Sequence, residues 1–401
     1  MTSQSVAEHS LRDYLTVTGG YWAFTLTDGA IRMLVVLYFH QLGYSPLAIA
    51  SLFLFYEFFG IVTNLVGGWL GARIGLNTTM HIGMALQIVA LGMLAVDASW
   101  LTIPYVMAAQ ALSGIAKDLN KMSAKASVKL MLPDDAQGKL FKWVAVLTGS
   151  KNTLKGAGFF LGALLLQLVG FSGALLMMSG GLLLTLAITW VLLPREIGKM
   201  KSKPKFSQLL SKSVAINWLS AARFFLFGAR DVWFVVGLPV YLAVAGWEHM
   251  QVGGFLALWV IGYGFIQATS PRLLKRFHSN GTTARWLVLA LSFIPAAMAL
   301  LLTQGVDGVS VVVIGLVLFG ILFAINSALH SYLIIAWSDR DKVSLNVGFY
   351  YMANAGGRLT GTILSGLTFQ LWGLIGCLLF SFLFLLAAWL ISWRLPDGLS
   401  A

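Results

Sequence analysis

The stretch GSKNTLKGAGFFLG at residues 149–162 decides the fold, and it has a counterpart, NAGGRLTGTILSG, at residues 354–366. Both stretches lie inside apolar runs of about 20 residues, the length that an α-helix needs to cross a bilayer. They nevertheless carry cations, Lys151 and Lys155 in the first and Arg358 in the second. A cation at mid-membrane costs about 2.5–3.5 kcal/mol on insertion scales, so the pattern is typical of a site that meets an anion.

Apolar runs of this length recur along the whole chain. The 401 residues are 58% hydrophobic and 10% charged, with a mean hydropathy of +0.82, which is typical of an all-α integral membrane protein. The runs predict twelve transmembrane helices, near residues 20–39, 46–72, 79–97, 100–120, 140–168, 171–194, 214–244, 251–273, 284–303, 309–337, 342–370 and 373–395. The first ten residues are polar, unlike a secretory signal peptide, so we expect the first helix to stay in the mature protein.

The lysines and arginines outside the spans lie on one side of the predicted membrane. Loops after odd-numbered spans contain neither residue type. Loops after even-numbered spans contain Arg73, Lys121, Lys125, Lys129, Lys139, Arg195, Lys199, Lys201, Lys203, Lys205, Lys212, Arg272, Lys275, Arg276, Arg285, Arg340 and Lys342. By the positive-inside rule, both termini are expected in the cytoplasm of a multi-pass protein of the cytoplasmic (inner) membrane. The net charge of +12 then indicates contact with membrane lipid and not with nucleic acid.

The two halves of the chain repeat at a single offset of 203 residues. The matched pairs are Asp28 with Asp231, Asn64 with Gln267, Leu70 with Leu273, Arg73 with Arg276, Lys139 with Lys342, Lys155 with Arg358, Gly158 with Gly361 and Gly170 with Gly373. The repeat predicts a six-helix half at 1–194, a basic cytoplasmic linker at 195–212 and a second six-helix half at 213–401. Two pseudo-twofold six-helix halves are the pattern of the major facilitator fold, in which substrate binds between the halves near mid-membrane.

The turn between the second and third spans gives a weaker sign of the same fold. Its sequence is GWLGARIGLN at residues 68–77, similar to the superfamily signature Gly-x-Leu-Ala-Asp-Arg-x-Gly. The glycines, the leucine and the arginine are present, but Ala72 stands where the signature has Asp. We therefore expect the usual charge lock at this turn to be missing.

Charged and amide side chains inside the spans are the candidate substrate-binding residues: Lys117, Lys151, Asn152, Lys155, Arg223, Arg230, Asn354 and Arg358. Since Lys155 and Arg358 occupy matched positions, we expect them to face each other across a central cavity. Arg offers a planar fork and Lys a mobile point charge, a combination that suits phosphate or carboxylate. The alternative is that the charges only form internal ion pairs, Asp28 with Arg32 at i+4 and Asp231 with a neighbouring Arg.

Acids inside the spans are the candidate proton-coupling residues. Asp28, Glu57 and Asp231 lead, with His330 as a further candidate, because burial shifts such groups towards ambient pH. The mid-span bases outnumber these acids, so we expect the cavity to keep positive charge. Its walls have as candidates Tyr21, Trp22, Tyr56, Trp143 and Tyr350.

A basic ribbon continues from the fourth span. Lys117, Lys121, Lys125 and Lys129 recur every four residues and turn slowly around the helix. For Lys125 and Lys129 we favour a solvated cytoplasmic helix end near anionic lipid. Lys117, with Asn120, is expected nearer the inner mouth of the cavity.

Motifs for catalysis, metals, cofactors or ATP are missing from the sequence. Cys377 is the only cysteine, the six histidines are scattered, and there is no Gly-x4-Gly-Lys-Ser/Thr or Gly-x-Ser-x-Gly. We therefore expect neither an enzyme nor a cofactor, and energy from the substrate gradient, the membrane potential or protons. An integral membrane enzyme and a non-transporting anion sensor are the less favoured alternatives, the latter because no segment is long enough for a soluble signalling domain.

Several segments closely resemble the ArsJ family of organoarsenical efflux permeases, a branch of the major facilitator superfamily. The most distinctive are FLFYEFFGIVTNLVGGWLGARIGLN at 53–77 and AAQALSGIAKDLNKMSAKAS at 108–127, and similar segments occur at 21–36, 140–162 and 222–242. The resemblance implies 1-arseno-3-phosphoglycerate as substrate, which glyceraldehyde-3-phosphate dehydrogenase makes when it uses arsenate in place of phosphate. It further implies arsenate resistance by efflux, a functional partnership with that dehydrogenase, proton antiport and a monomer. The main alternative is a major facilitator transporter of another phosphorylated or carboxylated metabolite.

Overall fold

The structure, a computed structural model, describes residues 3–44, 49, 52–133, 135–194, 197–200 and 213–398. Within these ranges all regular structure is helical. Besides a 3-10 turn at Ala98–Trp100, the α-helices are α1 (Ser3–Gln41), α2 (Leu54–Ile74), α3 (Leu76–Leu94), α4 (Ile103–Leu130), α5 (Gln137–Leu192), α6 (Val214–Phe234), α7 (Gly237–Val244), α8 (His249–Leu273), α9 (Gly281–Thr303), α10 (Gly308–Ala336) and α11 (Val343–Ser392). Most of the predicted linker at 195–212 lies outside the described residues.

Two helices are far longer than a bilayer span, and each is broken at one glycine. α5 turns at Gly170 (φ 72°, ψ −178°) and α11 turns at Gly373 (φ 62°, ψ −159°). Only glycine adopts this backbone conformation without strain. The two glycines form one of the pairs matched at the offset of 203 residues, so the repeat is present in the backbone as well as in the sequence.

Seven helical stretches of the described residues are long and apolar enough to cross a membrane: Leu11–Gln41, Gln137–Leu192, Val214–Val244, Gln251–Leu273, Gly281–Thr303, Gly308–Ala336 and Val343–Ser392. Two of these are the broken helices α5 and α11. The helices α2, α3 and α4 add lengths of 21, 19 and 28 residues. The chain is therefore a multi-pass membrane protein with an all-α fold, and these lengths are consistent with twelve spans.

Helix starts differ from the predicted spans where polar residues continue a helix. α1 begins at Ser3, well before the predicted start near residue 20, because hydropathy marks only the apolar part of a helix. Elsewhere polar caps set the start: the Asp307 carboxylate accepts a hydrogen bond from the Ser310 N–H at 3.0 Å. Asn280 accepts one from the Thr283 N–H at 3.1 Å. Such caps satisfy N–H groups that have no partner in the first turn.

The chain divides into two compact units. Unit 1 comprises Met1–Trp143, Ser150–Leu210 and Ser338–Met352; unit 2 comprises Val144–Gly149, Ser211–Trp337 and Ala353–Ala401. Each unit thus contains a short segment from the other half of the sequence. The prediction of two sequence halves joined by a linker remains a prediction.

In unit 1, glycines bring α1 and α5 into direct contact. A Cβ placed on Gly29 would lie 2.6 Å from the Lys155 carbonyl oxygen, and one on Gly158 would lie 2.7 Å from the Leu26 carbonyl oxygen. Small residues allow such close approach of membrane helices. Beside this contact, α1 packs its apolar face into a core with α3, α4 and the second part of α5.

In unit 2, α6 and α11 approach each other in the same way. A Cβ placed on Gly361 would lie 2.6 Å from the Gly228 carbonyl oxygen. The core of this unit is rich in aromatic rings, with Phe323 between Phe227 and Phe319 at centroid distances of 5.0 and 5.5 Å. Gly158 and Gly361 are a matched pair. Gly158 lets α5 approach α1, and Gly361 lets α11 approach α6.

The turn that resembles the superfamily signature is held by small residues and backbone hydrogen bonds. Ala72 is fully buried, and its carbonyl accepts a hydrogen bond from the Met200 N–H at 2.8 Å. The Ser344 hydroxyl donates to the Gly68 carbonyl at 2.6 Å, and a Cβ on Gly348 would lie 2.8 Å from the Gly68 Cα. Close packing therefore fixes the start of α11 on α2, at the turn where the superfamily signature would supply a carboxylate.

Candidate anion-binding site

Asp28 and Lys155 form an ion pair between α1 and α5 of unit 1. The Lys155 Nζ lies 3.2 Å from Asp28 Oδ2, and the Tyr56 hydroxyl donates to Asp28 Oδ1 at 2.5 Å. Asp28 is 3% exposed. Both carboxylate oxygens are thus engaged, as the burial of an ionised acid requires.

The Tyr56 ring is surrounded by cations. Lys117 Nζ lies 3.8 Å from its centroid, Arg32 Cζ 4.9 Å and Lys155 Nζ 6.0 Å, all within cation–π range. Glu57, next in sequence, lies 3.1 Å from Arg32 Nη2 and 4.0 Å from Lys117 Nζ. We call these six residues the Tyr56 cluster: Asp28, Arg32, Tyr56, Glu57, Lys117 and Lys155.

The alternative in which Asp28 pairs with Arg32 on one helix is wrong. Asp28 pairs with Lys155 of α5, and Arg32 pairs with Glu57 of α2. The reason is the close contact of α1 with α5 at Gly29, which brings Lys155 to the side of α1 that carries Asp28. Sequence separation of four residues favours a pair only where no better partner comes from another helix.

Asp231 joins two arginines in unit 2. Arg230 Nη2 lies 2.5 Å from Asp231 Oδ1, and Arg358 Nε lies 3.0 Å from Asp231 Oδ2. Asp231 is fully buried, whereas the side chains of Arg230 and Arg358 are 16% and 36% exposed. The pairing of Asp231 with a neighbouring arginine, which the sequence offered as the alternative, is confirmed, and a second arginine from α11 adds to it.

Arg223 lies in the same region of unit 2 and is 3% exposed. Its Nε donates to Asn354 Oδ1 at 2.9 Å and its Nη1 to the Ser327 hydroxyl at 3.1 Å. The Phe227 ring lies between the two arginines of α6, 3.8 Å from Arg223 Cζ and 4.9 Å from Arg230 Cζ. We call Arg223, Arg230, Asp231, Asn354 and Arg358 the arginine cluster.

The ion pairs of the two units stand at matched positions. Asp28 with Lys155 and Asp231 with Arg358 are related by the offset of 203 residues. The structure therefore brings six of the eight candidate binding residues into two clusters, one in each unit. The expectation that Lys155 and Arg358 face each other across a cavity remains a prediction.

The remaining two candidates, Lys151 and Asn152, are partly buried on the turn of α5 before Lys155. His330 is buried in α10 of unit 2. Among the described residues, no group of three His, Cys, Asp or Glu side chains is placed to hold a metal ion.

Two lysines of the basic ribbon on α4, Lys125 and Lys129, are buried where we expected solvent or lipid. Lys125 and Lys129 are 3% and 6% exposed, so the expectation for these two residues is wrong. Lys125 donates a hydrogen bond to the Tyr351 hydroxyl, and Arg340 donates to the Leu130 carbonyl at 3.1 Å. Tyr351 and Arg340 belong to the segment 338–352, more than 200 positions further along the chain, so the hydropathy of α4 alone does not reveal these contacts.

Sequence reasoning missed the neutral side chains that organise the two clusters. Phe227 and Ser327 were not singled out, and Tyr56 was only a candidate for a cavity wall. The signal for Tyr56 was its place beside Glu57 in an otherwise apolar run. Ser327 gave no such signal, because its role depends on α6 and α10 meeting in the fold.

The comparisons with known proteins agree with this architecture. The family model of the Major Facilitator Superfamily matches residues 17–332. The chain belongs to this superfamily. As a major facilitator, it is a membrane transporter and not an enzyme.

Solved transporters share the fold at low sequence identity. The human organic anion transporter MFSD10 (TETRAN) has a TM-score of 0.76 at 17% identity, covering 96% of this chain and 99% of that one. The E. coli fucose:proton symporter FucP has 0.74 at 14%, covering 95% and 99%. A bacterial homologue of the iron transporter ferroportin in an outward-facing state has 0.74 at 14%, covering 95% and 98%. No curated protein matches the sequence.

Proposed function

We propose that this transporter exports an organic polyanion, 1-arseno-3-phosphoglycerate, from the cytoplasm by alternating access and so confers arsenate resistance. The observation that carries the proposal is the pair of cation-rich clusters at matched positions. The Tyr56 cluster has three cations and two carboxylates, and the arginine cluster has three cations and one carboxylate. Lys117 also pairs with Asp118, which in turn pairs with Lys121, so the bases around Tyr56 still exceed the acids by one. The arginine cluster has an excess of two.

The substrate's chemistry suits this arrangement. The ester has a phosphate at one end and an arsenate at the other, so two separate cationic stations fit it better than one. In this proposal one anionic end of the ester binds to Lys117, Lys151, Asn152 and Lys155. The other end binds to Arg223, Arg230, Asn354 and Arg358. The choice of arsenic rests on the resemblance of residues 53–77 and 108–127 to organoarsenical permeases.

The same proposal places the protein in the cytoplasmic (inner) membrane as a monomer with both termini in the cytoplasm. Its functional partner is a glyceraldehyde-3-phosphate dehydrogenase that makes the ester. Export of a multiply charged anion from a cell that is negative inside is favoured by about 2.3 kcal/mol per charge per 100 mV. Asp28, Glu57 and Asp231 are the proposed proton-coupling residues if coupling is by antiport. Each is in contact with a cation that the substrate would also attract.

The test is transport into everted membrane vesicles supplied with the dehydrogenase, its substrate and arsenate. We expect Lys155→Gln and Arg358→Gln each to lower arsenic accumulation about tenfold or more, because each removes a charge-assisted hydrogen bond to the anion. The matched control is Lys142→Gln, which removes an exposed cation outside both clusters. Normal transport by both cluster variants would sink the proposal.

A second arm tests the cargo. Arsenic accumulation is expected only when the dehydrogenase is present, and a protonophore separates proton coupling from export driven by potential. The second candidate function is export of another phosphorylated or carboxylated metabolite through the same clusters, which the human organic anion transporter among the structural relatives favours. Equal transport of such a metabolite with and without the dehydrogenase would favour this second function.

A further inference from the structure

Asp118 of α4 is a buried carboxylate next to the Tyr56 cluster, and it has no role in the proposed binding of cargo. The residue is 2% exposed. Its Oδ1 lies 2.5 Å from Lys121 Nζ and its Oδ2 lies 3.9 Å from Lys117 Nζ. Gly60 of α2 leaves room for this side chain, because a Cβ placed there would lie 2.9 Å from Asp118 Oδ2. The carboxylate therefore lies between α4 and α2 with a cation beside each oxygen.

Lys117 is shared between two carboxylates and hydrogen-bonded to neither. Its Nζ lies 3.9 Å from Asp118 Oδ2 and 4.0 Å from Glu57 Oε2, whereas a charge-assisted hydrogen bond is about 2.7–2.9 Å long. The ammonium group lies over the Tyr56 ring, 3.8 Å from its centroid. An oxyanion that approaches to hydrogen-bonding distance would make a closer contact with Lys117 than either carboxylate does. The position of Lys117 thus depends on which anion attracts it.

The charges on α4 have no counterpart in unit 2. They are Lys117, Asp118, Lys121 and Lys125, and at the offset of 203 residues the matched positions on α10 are Gly320, Ile321, Ala324 and Ala328. The helix forms without them, since α4 has 28 residues and α10 has 29. These charges are therefore additional to the fold that the two halves share.

A buried hydroxyl near Asp118 is available to compensate it. Tyr21 of α1 is 2% exposed, and among the described residues its hydroxyl has no hydrogen-bond partner. It lies close enough to Asp28 and Asp118 to interact with them electrostatically. A phenol can donate one hydrogen bond, and a buried carboxylate is costly unless its charge is compensated. Tyr21 and Lys121 can therefore support Asp118 when Lys117 turns to another anion.

We propose that Asp118 is an internal counter-anion for Lys117. It attracts the ammonium group while the Tyr56 cluster has no cargo, an anionic group of the cargo replaces it at Lys117, and it recovers the ammonium group as the cargo leaves. Asp118 is then a positioning residue that acts through Lys117 and does not contact cargo. The inference rests on the proposed transport of an organic anion.

The effect on the cargo follows from linkage. Asp118 and the cargo attract the same ammonium group, so each lowers the affinity of Lys117 for the other. Cargo therefore binds less tightly and leaves faster than it would from a site without this carboxylate.

The experiment measures binding of 3-phosphoglycerate to the purified full-length protein by isothermal titration calorimetry. This probe has the phosphate end and the carbon chain of the proposed cargo and is stable. We expect Asp118→Asn to lower the Kd at least about fivefold, the lower end of couplings between sites. An unchanged or higher Kd in Asp118→Asn that elutes as a monodisperse species overturns the inference. So does a lack of binding to both proteins.

Transport supplies a readout that a merely structural role would not change in this way. In everted vesicles with the dehydrogenase, its substrate and arsenate, arsenic accumulation by Asp118→Asn should saturate at a lower supply of the ester and at a lower maximal rate. That combination is expected when an interaction that weakens the bound state is removed. A lower maximal rate with a higher half-saturating supply contradicts the inference.

Two further variants make the test specific. In the background of Lys117→Gln, the added change Asp118→Asn should leave the Kd within about twofold, the scatter of sites that do not interact. This double variant has no unpaired charge at the two positions, so it tests the role of Lys117 even if Asp118→Asn alone folds poorly. A fivefold gain without Lys117 would refute that role. The matched control is Asp135→Asn, an exposed carboxylate between α4 and α5, which should leave the Kd unchanged.

The two readouts also separate this inference from the proposed function. Tighter binding of 3-phosphoglycerate by Asp118→Asn, with no arsenic accumulation by either protein, would refute the cargo and support the counter-anion. Arsenic accumulation by the wild type, with a Kd and a maximal rate that do not depend on Asp118, would do the reverse.

Discussion

Replacing Asp28 by asparagine tests whether the ion pair of unit 1 holds α1 and α5 in place. At the 3.2 Å that separates Lys155 Nζ from Asp28 Oδ2, two unit charges attract by about 5 kcal/mol at an effective dielectric constant of about 20. Lys155 is 20% exposed, so water would recover part of this energy once the carboxylate is gone. We therefore expect Asp28→Asn to destabilise the folded protein by about 3 kcal/mol, at the lower end of the range for breaking a buried pair.

The double variant Asp28→Asn/Lys155→Met separates charge from shape. With both charges removed, no uncompensated ion remains between the helices, so the double variant should be more stable than Asp28→Asn alone, with a coupling energy of about 1–3 kcal/mol. The control is Asp97→Asn, a fully exposed loop acid that should leave stability unchanged.

The assay is unfolding of the purified protein in mixed micelles with increasing SDS, followed by tryptophan fluorescence. The reasoning is refuted if Asp28→Asn lies within about 0.5 kcal/mol of wild type, the usual scatter of surface substitutions. It is also refuted if the losses of the two single variants simply add. Either result would mean that the ion pair does not hold α1 against α5.

Two further predictions concern the long helices and the buried ribbon. Gly373→Ala should lower the free energy of unfolding by about 1–3 kcal/mol, because alanine is strained at φ 62° and ψ −159°. The control is Gly366→Ala, inside the same helix with open space beside it, which should be neutral or slightly stabilising in the same unfolding assay. Tyr351→Phe removes the hydroxyl that accepts a hydrogen bond from buried Lys125 and should lower the free energy of unfolding by about 1.5–3 kcal/mol. If the double variant Tyr351→Phe/Lys125→Met is no more stable than Tyr351→Phe, that hydrogen bond does not contribute to stability.

The fold followed from properties that are local in the sequence. A bilayer requires each crossing segment to satisfy its own backbone and to be apolar over a fixed length, so hydropathy alone predicted an all-α, multi-pass protein. The offset of 203 residues then pointed to the two-part architecture, and the matched breaks at Gly170 and Gly373 show the same repeat in the backbone. Residues with charge in mid-span marked the candidate site for the same energetic reason.

The pairing of those charges depended on the tertiary structure. Asp28 binds Lys155, 127 positions away, and not Arg32 one turn further on, because Gly29 and Gly158 let two helix backbones approach closely. Lys125 is buried against Tyr351 of the segment 338–352, a contact between residues far apart in the chain. The sequence by itself determined that each mid-span charge needs a partner of opposite charge, since the free-energy cost of a charge in the membrane is a property of each residue. Which partner meets each one was decided only by helix packing, because an ion pair forms over a few ångströms whatever the distance along the chain.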